Sequence, residues 1–184
     1  MENGLKYRIL KLARRVLENE LFQSEHDLSE FDETELQEKR GLFVTLHLNG
    51  QLRGCIGRLE AHNSIFKNVI DLSKAAAFED HRFKNLTAKE LNKVKIEVSI
   101  LTKPVELEGK TTFDKVMQIR PDKDGVIIDS GRHSATFLPQ VWESVPVREN
   151  FISDLCRKAG LTPDYWMHNH LDISVYQVEY FEED

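Results

Sequence analysis

GLFVTLHLNGQLRGCIG, residues 41–57, carries most of the information about how this chain folds. Leu42, Val44, Leu46 and Leu48 alternate with Phe43, Thr45 and His47, the period of two that a strand imposes on its faces. Asn49-Gly50 follows, the pair best suited to the positive-φ positions of a type I′ turn. A second extended run then returns antiparallel to the first. A two-residue loop opposes Leu48 to Gln51, Leu46 to Arg53, Val44 to Cys55, Thr45 to Gly54 and Phe43 to Ile56. In that register Arg53 and Cys55 share a face with Val44 and Leu46, provided no bulge intervenes. Both faces carry apolar residues, so the hairpin is expected to be covered on two sides. Gly54 and Gly57 flank the cysteine, and glycine inside a strand marks a bulge or a close approach to the backbone.

Outward from the hairpin, Leu5, Ile9, Leu12, Ala13 and Val16 predict an amphipathic helix over 4–21. The acidic stretch 23–39 has no period and reads as a solvated loop with a helical turn near Glu33–Glu38. Ile65, Val69, Leu72 and Ala76 predict a helix over 64–78, capped by Asn63 or Ser64. Thr87 and Glu90 form a capping box that starts a short helix. Val94, Ile96, Val98 and Ile100 predict a half-buried strand ending before Pro104. Thr112–Ile119 reads as a helix with Phe113, Val116 and Met117 inward. A turn at Asp122–Gly125 leads into a hairpin that reverses near Ser130-Gly131. Arg148–Ala159 reads as a helix with Phe151, Leu155 and Cys156 inward and Gly160 as its C′ residue. Thr162-Pro163 starts one more helical turn. DISVYQVEYF, 172–181, reads as a closing strand. Helices mix with antiparallel hairpins without strict alternation, so the class is α+β.

The chain has 184 residues, 40% hydrophobic and 30% charged, as expected of a globular protein with one substantial domain or two small lobes. Its net charge of −6 weighs against a nucleic-acid role, which rests on clustered Lys and Arg. No apolar run reaches the about 20 residues of a membrane helix. With no signal-peptide core and only two cysteines, a reduced, cytoplasmic protein is expected. There is no internal repeat, no Walker A motif and no GxGxxG.

Leu52-Arg53-Gly54-Cys55-Ile56-Gly57 matches the signature hexapeptide of the AMMECR-domain family. Five other blocks agree in order and spacing: GLFVTLHLNG (41–50), AAAFEDHRF (75–83), KIEVSILTKP (95–104), FLPQV (137–141) and FISDLCRKAGLTPDYW (151–166). The chain resembles this family over nearly its whole length. The resemblance implies a single domain over 1–184, made of two lobes of mainly antiparallel sheet flanked by helices, with the cysteine motif in the cleft between them. It also implies radical-SAM and Memo-type proteins as partners, in the AmmeMemoRadiSam arrangement. It carries over no settled chemistry and names no cofactor. Two corners depart from the family pattern. Asp-Pro-Arg-Phe-Pro is replaced by Asp80-His81-Arg82-Phe83-Lys84, and Gly-Arg-x-Gly-Leu-Leu-Leu-Pro-Gln by the run from Gly131 to Gln140, which differs over His133–Thr136.

Cys55 is the candidate nucleophile. The thiolate is the reactive form, and a nearby guanidinium favours it. Arg53, Arg58 and Arg82 are the candidates for that charge, and His47, His62 and His81 for the base. Asp80 serves as a base or as a positioner. Gly54 and Gly57 would let a substrate reach the backbone. Against this stands the habit of free cysteine to act as a small buried hydrophobe. Arg53, Arg82 and Arg132 suit a carboxylate or phosphate, or else pair with Glu79, Asp80 or Glu60. His168-Asn169-His170 reads as a polar loop rather than a zinc site. Cys156 reads as core, and Trp142, Tyr165 and Trp166 as core or lobe-junction residues.

Two readings of function follow. One is an enzyme or enzyme component acting on a small anionic or carbonyl-bearing substrate, or modifying a biomolecule alongside its partners. Cys55, Arg53, Asp80 and Arg82 would be its catalytic residues, with Gly54, Gly57 and Arg53 binding substrate. The other is a non-catalytic protein-binding module, or an RNA-binding protein, that docks through the glycine-cysteine strand.

Overall fold

The turn at Asn49-Gly50 forms as expected, with φ of 53° and 76°. In the computed structural model, which describes residues 1–59 and 61–184, it joins β1 (Leu42–Leu48) to β2 (Gln51–Arg58). Leu48 opposes Gln51 and His47 opposes Leu52, but the register then shifts: Leu46 opposes Gly54, Thr45 opposes Cys55, Val44 opposes Ile56 and Phe43 opposes Gly57. Arg53 is the extra residue of a bulge. Beyond it every side chain of β2 lies on the opposite face from the simple two-residue-loop register, since the side-chain period is two. Cys55 leaves the face of Val44 and Leu46 and joins that of Thr45.

Two compact units make up the chain, one of residues 1–101 and 179–184, the other of residues 102–178. In the first, β3 (Val94–Leu101) pairs with β1, aligning Leu46 with Ile96, Val44 with Val98 and Leu42 with Ile100. All six are at most 1% exposed. They pack with Ile9, Leu12 and Val16 of α1 (Asn3–Phe22) and with Val69 and Leu72 of α2 (Ile65–Phe78). Each aliphatic chain so buried is worth about 1.5–3 kcal/mol. Ser64 caps α2 by accepting from Lys67 N at 3.2 Å. The Thr87–Glu90 capping box opens α3 (Ala88–Leu91).

The acidic stretch is more structured than its composition suggests. Short 3-10 turns at Ser29–Phe31 and Thr34–Gln37 place Phe31 and Leu36 in the core at 2% and 0% exposure. These two residues, with partly buried Leu28 beside them, anchor a segment whose other positions are polar or charged.

The second unit contains β4 (Val105–Glu106), α4 (Thr112–Gln118), β5 (Gly125–Asp129), β6 (Ser134–Phe137), α5 (Arg148–Lys158), α6 (Tyr165–His168) and β7 (Asp172–Tyr176). Its sheet runs β4-β7-β5-β6. Trp142 stacks on Phe151 at 3.7 Å in a core that includes Cys156 and Trp166. Within α4, Val116 is buried, but Phe113 is 53% exposed and Lys115 only 5%. Lys115 Nζ donates to Leu171 O at 3.2 Å, so its ammonium is satisfied where its stem is packed. The expected closing strand is broken at Gln177, whose N–H and C=O bond Thr102. β7 stays in the second sheet, while β8 (Val178–Glu182) joins the first, in the order β2-β1-β3-β8.

With two antiparallel four-stranded sheets and flanking helices, the fold is α+β as the sequence implies. No helix among the described residues is long and apolar enough to cross a membrane.

Gly54 now faces α2, and a Cβ on it would lie 2.1 Å from Ala76 O. The helix backbone therefore rests directly on the strand, which the small Ala75-Ala76-Ala77 end permits. Gly54→Ala is expected to lower stability by roughly 1–3 kcal/mol, several degrees in Tm. A melting curve like that of the natural chain would show that the helix does not rest there.

Candidate functional site

The bulge is pinned by the side chain of its extra residue. Arg53 Nε and Nη2 donate to the two carboxylate oxygens of Glu90, at 3.1 and 3.2 Å, and Nη2 also donates to Asn85 O at 3.2 Å. Glu90 closes the capping box as well, accepting from Thr87 N and Oγ1 at 2.9 and 2.8 Å. The Arg53 guanidinium, with help from Thr87, pulls the Glu90 carboxyl down to about 2. Arg53 thus ties β2 to the start of α3. The sequence places it beside Cys55 as a substrate or thiolate contact, or as a partner of Glu79, Asp80 or Glu60; the structure engages it with Glu90 instead. Glu60 lies outside the described residues.

Cys55, partly exposed, is held from two directions. Across the hairpin, Thr45 Oγ1 donates to Cys55 Sγ at 3.3 Å. On the outer side of β2, Asp80 Oδ2 accepts from Cys55 N at 2.9 Å, and Arg82 Nη2 donates to Cys55 O at 3.0 Å. Asp80 and Arg82 are themselves joined: Arg82 Nη2 donates to Asp80 Oδ2 at 2.7 Å, and Arg82 Nε and N donate to Asp80 Oδ1 at 2.9 and 3.2 Å. The Arg82 bonds, aided by the Cys55 amide, hold the Asp80 carboxyl well below the usual carboxylate range against the cost of burial. Asp80 in turn strengthens the proton hold of Arg82. The Asp80 side chain is 4% exposed and that of Arg82 58%. Both Asp80 oxygens are filled by donors, which fits a positioner and not a base.

The same face of the sheet carries His47 and Glu97. Glu97 lies opposite Thr45 on β3, and its Oε2 is 3.4 Å from His47 Nε2. Of the three candidate bases, His47 therefore shares a face with Cys55 and has an orienting carboxylate, while His81 is exposed in the turn after α2. Arg58 pairs with Asp71 at 3.6 Å, and Arg132 is exposed in the β5–β6 turn. His170 bonds Asp172 at 2.9 Å.

The glycines have occupants from the chain itself. α2 covers Gly54, and a Cβ on Gly57 would lie 2.0 Å from the Phe43 ring. This gives both a packing reason, where the sequence suggested room for a substrate. Sequence reasoning missed Thr45, Glu90 and Glu97 as members of the site. The capping-box pattern marked Glu90, but nothing local linked it to Arg53.

The sequence pattern of the AMMECR1 family matches residues 10–181. The chain belongs to the AMMECR1 family. Protein LS215_2104 of Saccharolobus islandicus is 35% identical to it, over 100% of this chain and 83% of that protein. Protein MK0488 of Methanopyrus kandleri is 36% identical, over 96% and 87%. The crystal structure of the uncharacterized protein PH0010 from Pyrococcus horikoshii superposes with a TM-score of 0.79 at 31% identity, over 100% of this chain and 94% of that one. In this chain Leu52–Gly57 lies on a bulged strand, with Arg53 in an ion pair with Glu90 and Cys55 on the face of Thr45, His47 and Glu97.

The depressed Glu90 group gives this AMMECR1 chain an acid-sensitive clamp. Its stabilisation is complete above the ordinary value of 4.5 and is lost as pH falls through about 2. Glu90→Gln should lower stability at pH 7 and narrow its gap to the natural chain as pH drops from about 5 to 2. Chemical denaturation across that range measures the effect; a gap that does not change with pH would contradict it.

Proposed function

We propose that this protein is an enzyme or enzyme component that uses Cys55 as a nucleophile or transient covalent anchor. The observation that carries the reading is the bulge. It moves a partly exposed thiol from the apolar side of β2 to a face shared with Thr45, His47 and Glu97. Beside it lies Arg82, whose guanidinium is tied to Asp80 and Cys55 O on one side and more than half exposed. A planar guanidinium in that state suits a carboxylate or another small oxyanion. The substrate class is therefore a small anionic or carbonyl-bearing molecule.

For a carbonyl, the thiolate sulfur forms a bond to the carbon while the π electrons move to oxygen, and Arg82 offsets the charge that gathers there. His47, oriented by Glu97, is the candidate to take the thiol proton. Asp80 keeps Arg82 and the Cys55 backbone in place, and Arg53 keeps the register. The family resemblance supports radical-SAM and Memo-type proteins as partners, and the sparse cysteine content supports a reduced, cytoplasmic setting. Docking of a peptide or RNA along β2 is the weaker reading, because an incoming strand would have to displace Asp80 and Arg82 from the amide and carbonyl of Cys55.

Alkylation tests the anion preference. The ratio of Cys55 labelling by iodoacetate to labelling by iodoacetamide should fall about fivefold in Arg82→Gln, the effect of one nearby charge in a watery site. An unchanged ratio would remove Arg82 as the anion contact. In a reconstituted partner system, Cys55→Ser should abolish turnover, and full activity of that variant would end the nucleophile reading.

A further inference from the structure

We propose that Thr45 is a positioning residue for Cys55, holding the sulfur through a hydroxyl hydrogen bond; this rests on the reading of Cys55 as the reacting group. Cys55 N–H and C=O point away from β1, to Asp80 and Arg82. Thr45 and Cys55 are therefore a non-hydrogen-bonded pair, the arrangement that brings opposed side chains closest. Thr45 Oγ1 lies 3.3 Å from Sγ, and among the described residues no other hydrogen-bond partner is recorded for that hydroxyl. Thr45 is 9% exposed, so little water competes for it.

A β-branched side chain on a strand has few χ1 choices, which fixes the hydroxyl where the sulfur meets it. A thiol can share the hydrogen bond in either direction. A thiolate can only accept, and the hydroxyl is already in place to donate. The bond grows stronger as negative charge collects on sulfur, and it aims the lone pairs along the open face. The arrangement exists only in the bulged register, because the simple register opposes Thr45 to Gly54.

The experiment compares second-order rates of iodoacetamide labelling at Cys55 in the full chain, read by peptide mass spectrometry. In that reaction the sulfur–carbon bond forms, the carbon–iodine bond breaks, iodide leaves and the thiol proton goes to buffer. Thr45→Val keeps the branched shape and loses the donor, so labelling should slow about tenfold. Thr45→Ser keeps the donor and loses a methyl group, so its rate should stay within about twofold of the natural chain. A purely steric role predicts the reverse order. That reverse order, or equal rates in the natural chain and Thr45→Val, would overturn the proposal. Thr45→Ala serves as a second donor-less variant should Thr45→Val not fold. If Cys55 in the natural chain reacts no faster than free cysteine, the nucleophile reading itself falls and takes this inference with it; normal Cys55 reactivity with an indifferent Thr45→Val removes only the role of Thr45.

Discussion

The Arg53–Glu90 ion pair holds one surplus residue in β2, and most of what is distinctive about the site depends on it. A bulge exposes an unpaired stretch of backbone and weakens the ladder locally, so it needs an anchor. Here the anchor is the side chain of the surplus residue, bonded to a carboxylate that already closes a helix cap. The strand past that point is rotated by half a period. Gly54 meets the α2 backbone, Ile56 packs with the core, and Cys55 and Gly57 take the polar face. The hexapeptide is thus a set of solutions to one local problem. The arginine pins the bulge, the first glycine admits the helix, the isoleucine supplies packing, and the second glycine accepts a ring.

Asp80 and Arg82 are better understood beside a second instance of the same device. In the other unit, Asp124 is 1% exposed and accepts from Arg120 N, Nε and Nη2, at 2.9, 3.1 and 2.7 Å. That pair shapes a turn whose Asp124 carbonyl accepts from Trp142 Nε1 at 2.8 Å. A buried carboxylate filled by one arginine is therefore an architectural element in this protein. At Asp80 the element gains a further contact, because it also grips the amide and carbonyl of a strand that bears a thiol. The two pairs thus differ in what else they hold, a strand edge in one case and a tryptophan in the other, and not in the ion pair itself.

Much of this fold is legible in the sequence because its elements obey simple periods. The Asn49-Gly50 turn, the alternation from Val94 to Ile100 and the helical spacing from Ile65 to Ala76 each reflect one buried face. The bulge escapes such reading, since a single added residue leaves the local pattern of alternation intact while reversing its meaning. Glu90 is legible as a helix cap but not as the partner of Arg53, a pairing fixed only by tertiary packing. Leu28, Phe31 and Leu36 are the few apolar residues of an acidic segment, too sparse to form a clear period. Phe113 and Lys115 exchange their expected exposures because α4 has only two turns, and a lysine stem fills space while its ammonium finds a carbonyl. Gln177 divides one continuous alternating run between two sheets, and no change of composition marks the break.

The return of β8 to the first sheet has a consequence for how the chain acquires its structure. Arg14 of α1 bonds Leu91 O, Val94 O and Glu183, a residue 169 positions away. The free flank of β3 is therefore completed by a segment that leaves the ribosome after the whole 102–178 stretch. During synthesis that flank stays open, and closing so long a loop is an entropic cost that must precede the contacts rewarding it. Assembly of the first unit is thus governed by the arrival of its latest-made piece, and a stalled or shortened chain would leave β3 available to foreign strands.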